Sequence, residues 1–343
     1  MDFEYYYAKL PNFIKYNKSF LNFFLSVSKK IRNSNQSSKQ LNSQGQLLNL
    51  ILLNCDINTK GTLKNIQLLY IELLRFFDNI CSKYEIDYWL EYGTLLGAVR
   101  HEGFILWDDD IDVAMVREDY EKLIEILPKE ISKFDYLKNE CGLTLSIENH
   151  ENYFKDFKDF HNIINNPDFP LKDRFSFLEF SIFKPYVKID VFPKDYILDE
   201  KLNYYSKNYL STKYRFNKEI KSGKKNFYEE LVNKNNDLGL VKYKTNYIVS
   251  SLDDLELEPP YIYKTDNIFP LKKIKFEGFY FKCPNNVDEH LKGIYGDNYM
   301  EIPHIIEHHS LLGFIESQFS SKEELNKKFN ELISYLQKIN ENY

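Results

Sequence analysis

Cysteine is scarce and scattered in this chain: Cys55, Cys81, Cys141 and Cys283 are the four among 343 residues, none at a paired metal-ligand spacing. That argues against a zinc-ribbon or disulfide-stapled class and for a reduced, cytoplasmic protein. Glycine and proline are also few, 12 and 11, too few for a collagen-like or low-complexity chain. No apolar run reaches the ~20 residues that span a bilayer. The opening Met1-Asp2-Phe3-Glu4-Tyr5 lacks the basic region and apolar core of a secretory signal. Basic excess is missing too: 45 Lys and Arg face 51 Asp and Glu, a net charge of −6. Nucleic acid is therefore not an expected partner, because backbone binding needs a basic footprint.

Aromatic side chains are what the chain has in plenty, with 27 Tyr and 27 Phe. Such a composition packs into a globule, and this length can bury roughly 75% of its extended surface in one large core or two joined lobes. Residues 1–47 read as an N-terminal extension and polar linker. Within it, residues 13–25 carry aromatics and lysines suited to a packed amphipathic helix or to peripheral contact with a membrane surface. The Asn-, Ser- and Gln-rich tract Asn33 to Gln46 reads as a flexible connection. Residues 48–315 read as the main domain with insertions. It opens on a helix over Leu63 to Ile86, whose Ile66, Leu69, Leu73, Phe76, Phe77 and Ile80 make one apolar face. Residues 316–343 end in a helix with Leu325, Phe329, Leu332, Ile333 and Leu336 on one side.

Chemistry concentrates between Tyr88 and Asp112. A strand through Tyr88 to Tyr92 delivers the chain to Gly93, where a tight turn leads into a helix starting near Thr94. Backbone N–H groups at such a turn point toward phosphate oxygens. Thr94 either donates a further hydrogen bond or caps the helix. Arg100 offers a phosphate-binding fork and His101 a group that orients phosphate or acceptor; either can instead serve in an ordinary ion pair or core hydrogen bond. A strand over Asp110 to Met115 sends Asp110 and Asp112 to one side. Two carboxylates projecting together suit Mg²⁺, or Mn²⁺ in its place. Asp108 and Asp109 support those ligands or act as base. Asp190, in the alternating stretch Tyr186 to Pro193, either completes the cluster from a neighbouring strand or lies on an edge.

This succession, Gly93-Thr94-Leu95-Leu96-Gly97-Ala98-Val99-Arg100-His101, Gly103-Phe104-Ile105 and Trp107-Asp108-Asp109-Asp110-Ile111-Asp112, resembles the LicD family of phosphocholine transferases and, more remotely, the fukutin-related phosphotransferases. Asp190-Val191-Phe192-Pro193 looks like the family's later acidic strand. Tyr295-Gly296-Asp297-Asn298-Tyr299-Met300, followed by Pro303, looks like its Tyr-Gly motif. The landmarks run from about Leu68 to His309. The resemblance implies an α+β fold: a nucleotidyltransferase-like mixed β-sheet flanked by helices, with helical and aromatic-rich additions.

It also implies transfer of phosphocholine from CDP-choline to a hydroxyl of a cell-surface glycan or its lipid-linked precursor, with CMP released. Such a reaction would serve capsule, lipopolysaccharide or teichoic acid assembly, at the inner face of the plasma membrane. Asp110, Asp112 and Asp190 would hold the metal, Gly93, Thr94, Arg100 and His101 the donor phosphates, and Asp109 or Asp108 the hydroxyl proton. Phosphoethanolamine, phosphoglycerol, ribitol phosphate or a nucleoside monophosphate are the alternative transferred groups; a noncatalytic scaffold is the reading from another class. Tyr204, Tyr205, Tyr209 and Tyr214 read as helix core before they read as a choline cage. His304, His308 and His309 read as acceptor-binding or structural before they read as zinc ligands.

Overall fold

The computed structural model describes residues 61–134, 144–148, 177–182, 187–221, 234–252, 259–301 and 319–343. The N-terminal extension, its polar tract, Cys55, Cys141, Pro303, the three C-terminal histidines and the side chain of Tyr214 lie outside them. Helix α1, Thr62–Lys83, buries Ile66, Leu69, Leu73, Phe76, Phe77 and Ile80 as its periodicity requires. After it come β1 (Trp89–Leu90), α2 (Tyr92–His101), β2 (Ile111–Val116) and α3 (Arg117–Ile131). Strands β3 (Thr144–Glu148), β4 (Phe177–Ile182) and β5 (Val187–Ile197) follow, then α4 (Leu202–Lys221). Short strands β6 (Leu240–Val241), β7 (Tyr247–Ser250) and β8 (Ile262–Lys264) lead to α5 (Thr265–Ile268) and the hairpin β9 (Lys272–Phe276) and β10 (Phe279–Cys283). Helices α6 (Val287–Tyr295) and α7 (Lys322–Asn342) complete the described elements.

One mixed sheet organises the molecule, in the order β1-β2-β5-β4-β3, with β6 and β7 pairing the far half of β5 and β8 pairing β7. β2 and β5 run parallel; β5 meets β4, β6 and β7 antiparallel. The α+β, nucleotidyltransferase-like mixed sheet with flanking helices is thus what the chain forms.

Strand alternation sorts the two faces of the sheet. Ile111, Val113 and Met115 of β2, with Val187, Ile189 and Val191 of β5, enter the main core under α1 and α3. Ala114, Val116 and Phe192 face the other way, into a second cluster with Trp89, Ile248, Tyr263 and Ile268. Cys81 and Cys283 are both buried and free. On α4, Tyr205 and Tyr209 are core residues whose hydroxyls donate to the Ser250 and Ser251 carbonyls, and Tyr204 is exposed.

Helix α7 begins where the sequence puts it, capped by Ser321, which accepts from the Glu324 amide at 3.2 Å. It lays Leu325, Phe329, Leu332 and Leu336 against α1, each buried side chain contributing about 2 kcal/mol. The chain end is tied down by a carboxylate. Buried Glu130 accepts from Tyr84 and Lys133, from Tyr343 Oη at 2.5 Å and from Lys83 Nζ at 3.2 Å. Burial raises its pKa, but these four donors outweigh burial and bring it from an ordinary 4.5 to about 2. The depressed value means Glu130 stabilises the fold fully above its unfolded pKa and ceases to do so as pH falls from 4.5 toward 2. Urea titrations should show Glu130→Gln less stable than wild type at neutral pH, with the gap narrowing through that acid window. A gap that stays constant to the acid end would contradict the assignment.

Candidate active site

Helix α2 starts at Tyr92, two residues before the expected Thr94, and the left-handed turn residue is Tyr92 (φ 41°), not Gly93. Glu91 is the residue at the N-cap; it makes no side-chain cap bond there, and its carbonyl accepts the Leu95 amide at 3.0 Å. Gly93 is required for a different reason. A Cβ there would lie 3.1 Å from Asp108 Oδ2, so the carboxylate occupies the space beside the helix's first turn, where the helix dipole favours negative charge. Gly97 makes that return possible: a Cβ on it would sit 2.5 Å from the Gly103 carbonyl oxygen. The loop after α2 therefore folds back along the helix and carries Asp108 to its N-terminal end.

Thr94 is neither a cap nor exposed. Its buried Oγ1 accepts from the Asp112 amide at 2.9 Å, while the Asp112 carbonyl accepts from the Glu91 amide at 3.0 Å. The peptide flanks of Asp112 are clamped to the start of α2 on both sides. In the parallel ladder Asp112 is the register partner of Asp190, which places the two carboxylates on one face about 4.8 Å apart in backbone spacing. β4 sets Glu179 opposite Asp190 on the other side. Asp110 sits just ahead of β2, so strand alternation does not fix its direction as it fixes that of Asp112. Asp109 is buried. Asp190 also meets Lys188 Nζ at 3.3 Å.

Among the described residues, no group of three or more His, Cys, Asp and Glu side chains forms a ready-made metal site. The arrangement is a carboxylate pair with further acids around it. That donor set suits Mg²⁺ when a diphosphate and waters fill the other positions, because Mg²⁺ commonly takes only one or two carboxylates from protein. Electrostatics record the crowding. Burial, then Asp110, then Asp109 push the Asp108 carboxyl well above the usual range, with Arg100 opposing, and Asp108 Oδ2 is buried with no hydrogen-bond partner among the described residues.

Arg100 stands at the far end of α2. Its Nε donates to His101 Nε2 at 3.1 Å and its Nη1 to the Glu301 carbonyl at 3.4 Å. Burial lowers the Arg100 pKa while Tyr295 and Asp108 pull it back up; burial and then Arg100 lower that of His101. His101 thus acts on Arg100 as an acceptor. Tyr295 ends α6, and Gly296 (φ 84°) supplies the turn after it. Desolvation around the hydroxyl, then Asp112, then Asp108 raise the pKa of Tyr295, whose side chain is otherwise exposed, so this tyrosine is within electrostatic reach of the carboxylates.

Residues 85–201 match the family model described as LicD/FKTN/FKRP, nucleotidyltransferase domain. The matched stretch is about a third of the chain. Its limits enclose β1 to β5 and so Asp108, Asp109, Asp110, Asp112, Glu179 and Asp190. A 67-residue stretch is 48% identical to lipopolysaccharide cholinephosphotransferase LicD of Haemophilus influenzae, over 20% of this chain and 25% of that protein. An uncharacterised Rickettsia prowazekii protein is 42% identical over 84 residues, 24% of this chain and 29% of its own. Human ribitol 5-phosphate transferase FKRP is 42% identical over 48 residues, 14% of this chain and 10% of that protein. The chain therefore spans about a quarter of the first relative and a tenth of the last.

Several groups around these carboxylates were not singled out from the sequence. Tyr70, on α1 outside the matched residues, is buried; its pKa is raised by burial, then by Asp110, with Asp190 and Asp109 adding to it. Its hydroxyl accepts the Lys188 amide at 3.3 Å. Beneath the first turn of α2, Glu91, Lys194 and His290 are wholly buried together. Glu91 accepts from Trp89 Nε1 at 2.7 Å and Tyr263 Oη at 3.2 Å, lies 2.8 Å from His290 Nε2, and pairs with Lys194 Nζ at 3.3 Å. Burial alone would raise the Glu91 pKa; His290 and then Lys194 outweigh it and bring it to about 2. A buried Lys or Glu has no periodic signature, because each partner comes from a distant part of the chain. Among the described residues, no helix is long and apolar enough to cross a membrane.

Proposed function

We propose that this protein transfers a phospho-alcohol, phosphocholine first, from a CDP-alcohol donor to a glycan hydroxyl. The observation that carries the reading is the register pair Asp112 and Asp190, clamped to the head of α2, with Asp108 beside Gly93 and Arg100 in electrostatic range. The cholinephosphotransferase and ribitol 5-phosphate transferase named among the relatives support the same class of chemistry.

A divalent cation held by Asp112 and Asp190, with Asp110 as the further ligand, would supply neutralising charge to the diphosphate. Arg100 adds a fixed positive charge, aimed by His101. The acceptor oxygen forms a bond to the phosphorus bearing the alcohol, the bond from that phosphorus to the CMP oxygen breaks, and the hydroxyl proton passes to Asp108 or Asp109. Asp108 Oδ2, though buried, has no hydrogen-bond partner among the described residues, so its lone pair is not engaged by one.

The test is a donor panel of CDP-choline, CDP-ethanolamine, CDP-glycerol and CDP-ribitol with glycan acceptors, run with Mg²⁺ and with EDTA. Mass spectrometry should find CMP and an acceptor heavier by phosphocholine, both lost in EDTA. An acceptor that keeps a nucleotide would replace this reading with nucleotidyl transfer, and turnover insensitive to EDTA would remove the metal.

A further inference from the structure

The loop that returns Asp108 to the head of α2 is gripped from outside residues 85–201. Its first part meets the β9–β10 hairpin, which packs along α2. Phe276 pairs with Phe279, so Glu277 and Gly278 are the two turn residues, and both are left-handed, at φ 46° and 86°. A two-residue turn of this kind favours Asn, Asp or Gly at its first position, so a glutamate there is strained. Its carboxylate has a use. Oε1 accepts from the Phe104 amide at 3.2 Å, Oε2 meets Lys64 Nζ of α1 at 3.3 Å, and the Glu277 amide donates to the Glu102 carbonyl at 2.8 Å. Gly103 completes the fit: a Cβ there would lie 2.4 Å from Glu277 Oε1. Gly103 is not left-handed, so this position needs glycine for room and not for φ.

The other end of the loop is held by α1. Buried Gln67 donates from Nε2 to the Asp108 carbonyl at 2.9 Å, and the Asp108 amide donates to the Ile105 carbonyl at 2.8 Å. Lys64 and Gln67 lie three residues apart, so one face of α1 serves both ends of the loop. Between those ends Phe104 is buried against Phe276, with ring centroids 4.9 Å apart. The main chain of Asp108 is thus fastened on both sides, whereas Oδ2 of its carboxylate has no hydrogen-bond partner among the described residues. A residue held by its backbone with that oxygen left over is presented to something else, since the fold makes no use of the oxygen.

We infer that Glu277 is a positioning residue for Asp108: with Gln67 at the other end, it holds the loop so that the Asp108 carboxylate meets the acceptor hydroxyl. This rests on the transfer reading with Asp108 as the proton acceptor. It adds that α1 and the hairpin, which flank residues 85–201 in the chain, complete the site. A carboxylate on a loose loop meets the hydroxyl in only a fraction of its conformations, and a displacement of about 1 Å costs on the order of 10²-fold in rate.

Hydrogen exchange and kinetics on the full chain test the holding and the chemistry separately. Peptides covering residues 102–108 should exchange about tenfold faster in Glu277→Leu than in wild type, and near the wild-type rate in Glu277→Gln, whose amide oxygen still accepts from Phe104. Gly103→Ala, whose new methyl displaces the Glu277 carboxylate, should match Glu277→Leu. In the transfer assay Glu277→Leu should lose about 10–100-fold in kcat with the donor KM within about twofold of wild type, and Glu277→Gln should restore kcat. A merely structural glutamate would lower stability and leave the kcat of folded protein unchanged. Wild-type exchange in Glu277→Leu overturns the inference, as does faster exchange with unchanged kcat, or a lost kcat that Glu277→Gln does not restore. Failure of the transfer reading shows separately, as absence of product from wild type with every donor, and exchange alone then decides whether Glu277 holds the loop.

Discussion

Asp112→Ala should abolish transfer, lowering the rate by at least about 10³-fold while the protein stays folded. The magnitude follows from what the carboxylate is asked to do in the proposed reaction. With its register partner Asp190 it fixes the cation that offsets the donor's diphosphate, and one carboxylate in low dielectric is a poor substitute for two. Stability should hold or rise, because the acids around Asp112 repel one another when no cation is bound, and the backbone clamp through Thr94 and Glu91 uses only the Asp112 peptide. Asp190→Ala should behave alike. Rates from the mass-spectrometric assay and midpoints from urea denaturation are the readouts. Wild-type turnover in Asp112→Ala, still dependent on Mg²⁺, would remove Asp112 from the metal site.

Glu91→Ala should have the largest effect on stability, a loss of about 3–5 kcal/mol. Lys194 is fully buried, and Glu91 is the carboxylate it pairs with, so truncation leaves an ammonium in the interior without its counter-charge. The indole of Trp89, the Tyr263 hydroxyl and His290 lose an acceptor or partner in the same step. Against a typical total of 5–15 kcal/mol, this is a large fraction. The double change Glu91→Gln with Lys194→Met should recover much of it, since an apolar replacement of a buried pair is often neutral where removal of one partner is not. Urea denaturation of both variants decides the matter: a single-variant loss below about 1 kcal/mol would mean that water reaches Lys194. The cluster also bears on the site, because Lys194 holds the Tyr92 hydroxyl at the start of α2.

Legibility differed from element to element. The periodicity of α1 and α7 predicted their bounds within a few residues, and alternation identified the strands of Asp112 and Asp190. The short segment before Gly93 was harder. Tyr88 to Tyr92 has the composition of a strand, yet β1 contains only Trp89 and Leu90, because Tyr92 turns left-handed and opens the helix. Gly93 and Thr94 each make a contact that the local sequence does not announce: Gly93 makes room for Asp108, and Thr94 holds the Asp112 amide.

Local pattern thus sufficed for the elements and the acidic block, since helix and strand periods and a dense run of aspartates are properties of neighbouring residues; the mixed-sheet class came from the family resemblance. Pairing was a different matter. That Asp112 lies across from Asp190, that Tyr70 and Tyr295 come within reach of the acids from opposite ends of the chain, and that Glu91 finds Lys194 and His290 all depend on strand register and chain return. Register is set by burial of one sheet face against α1 and α3, an energy shared by the whole core and written in no single segment.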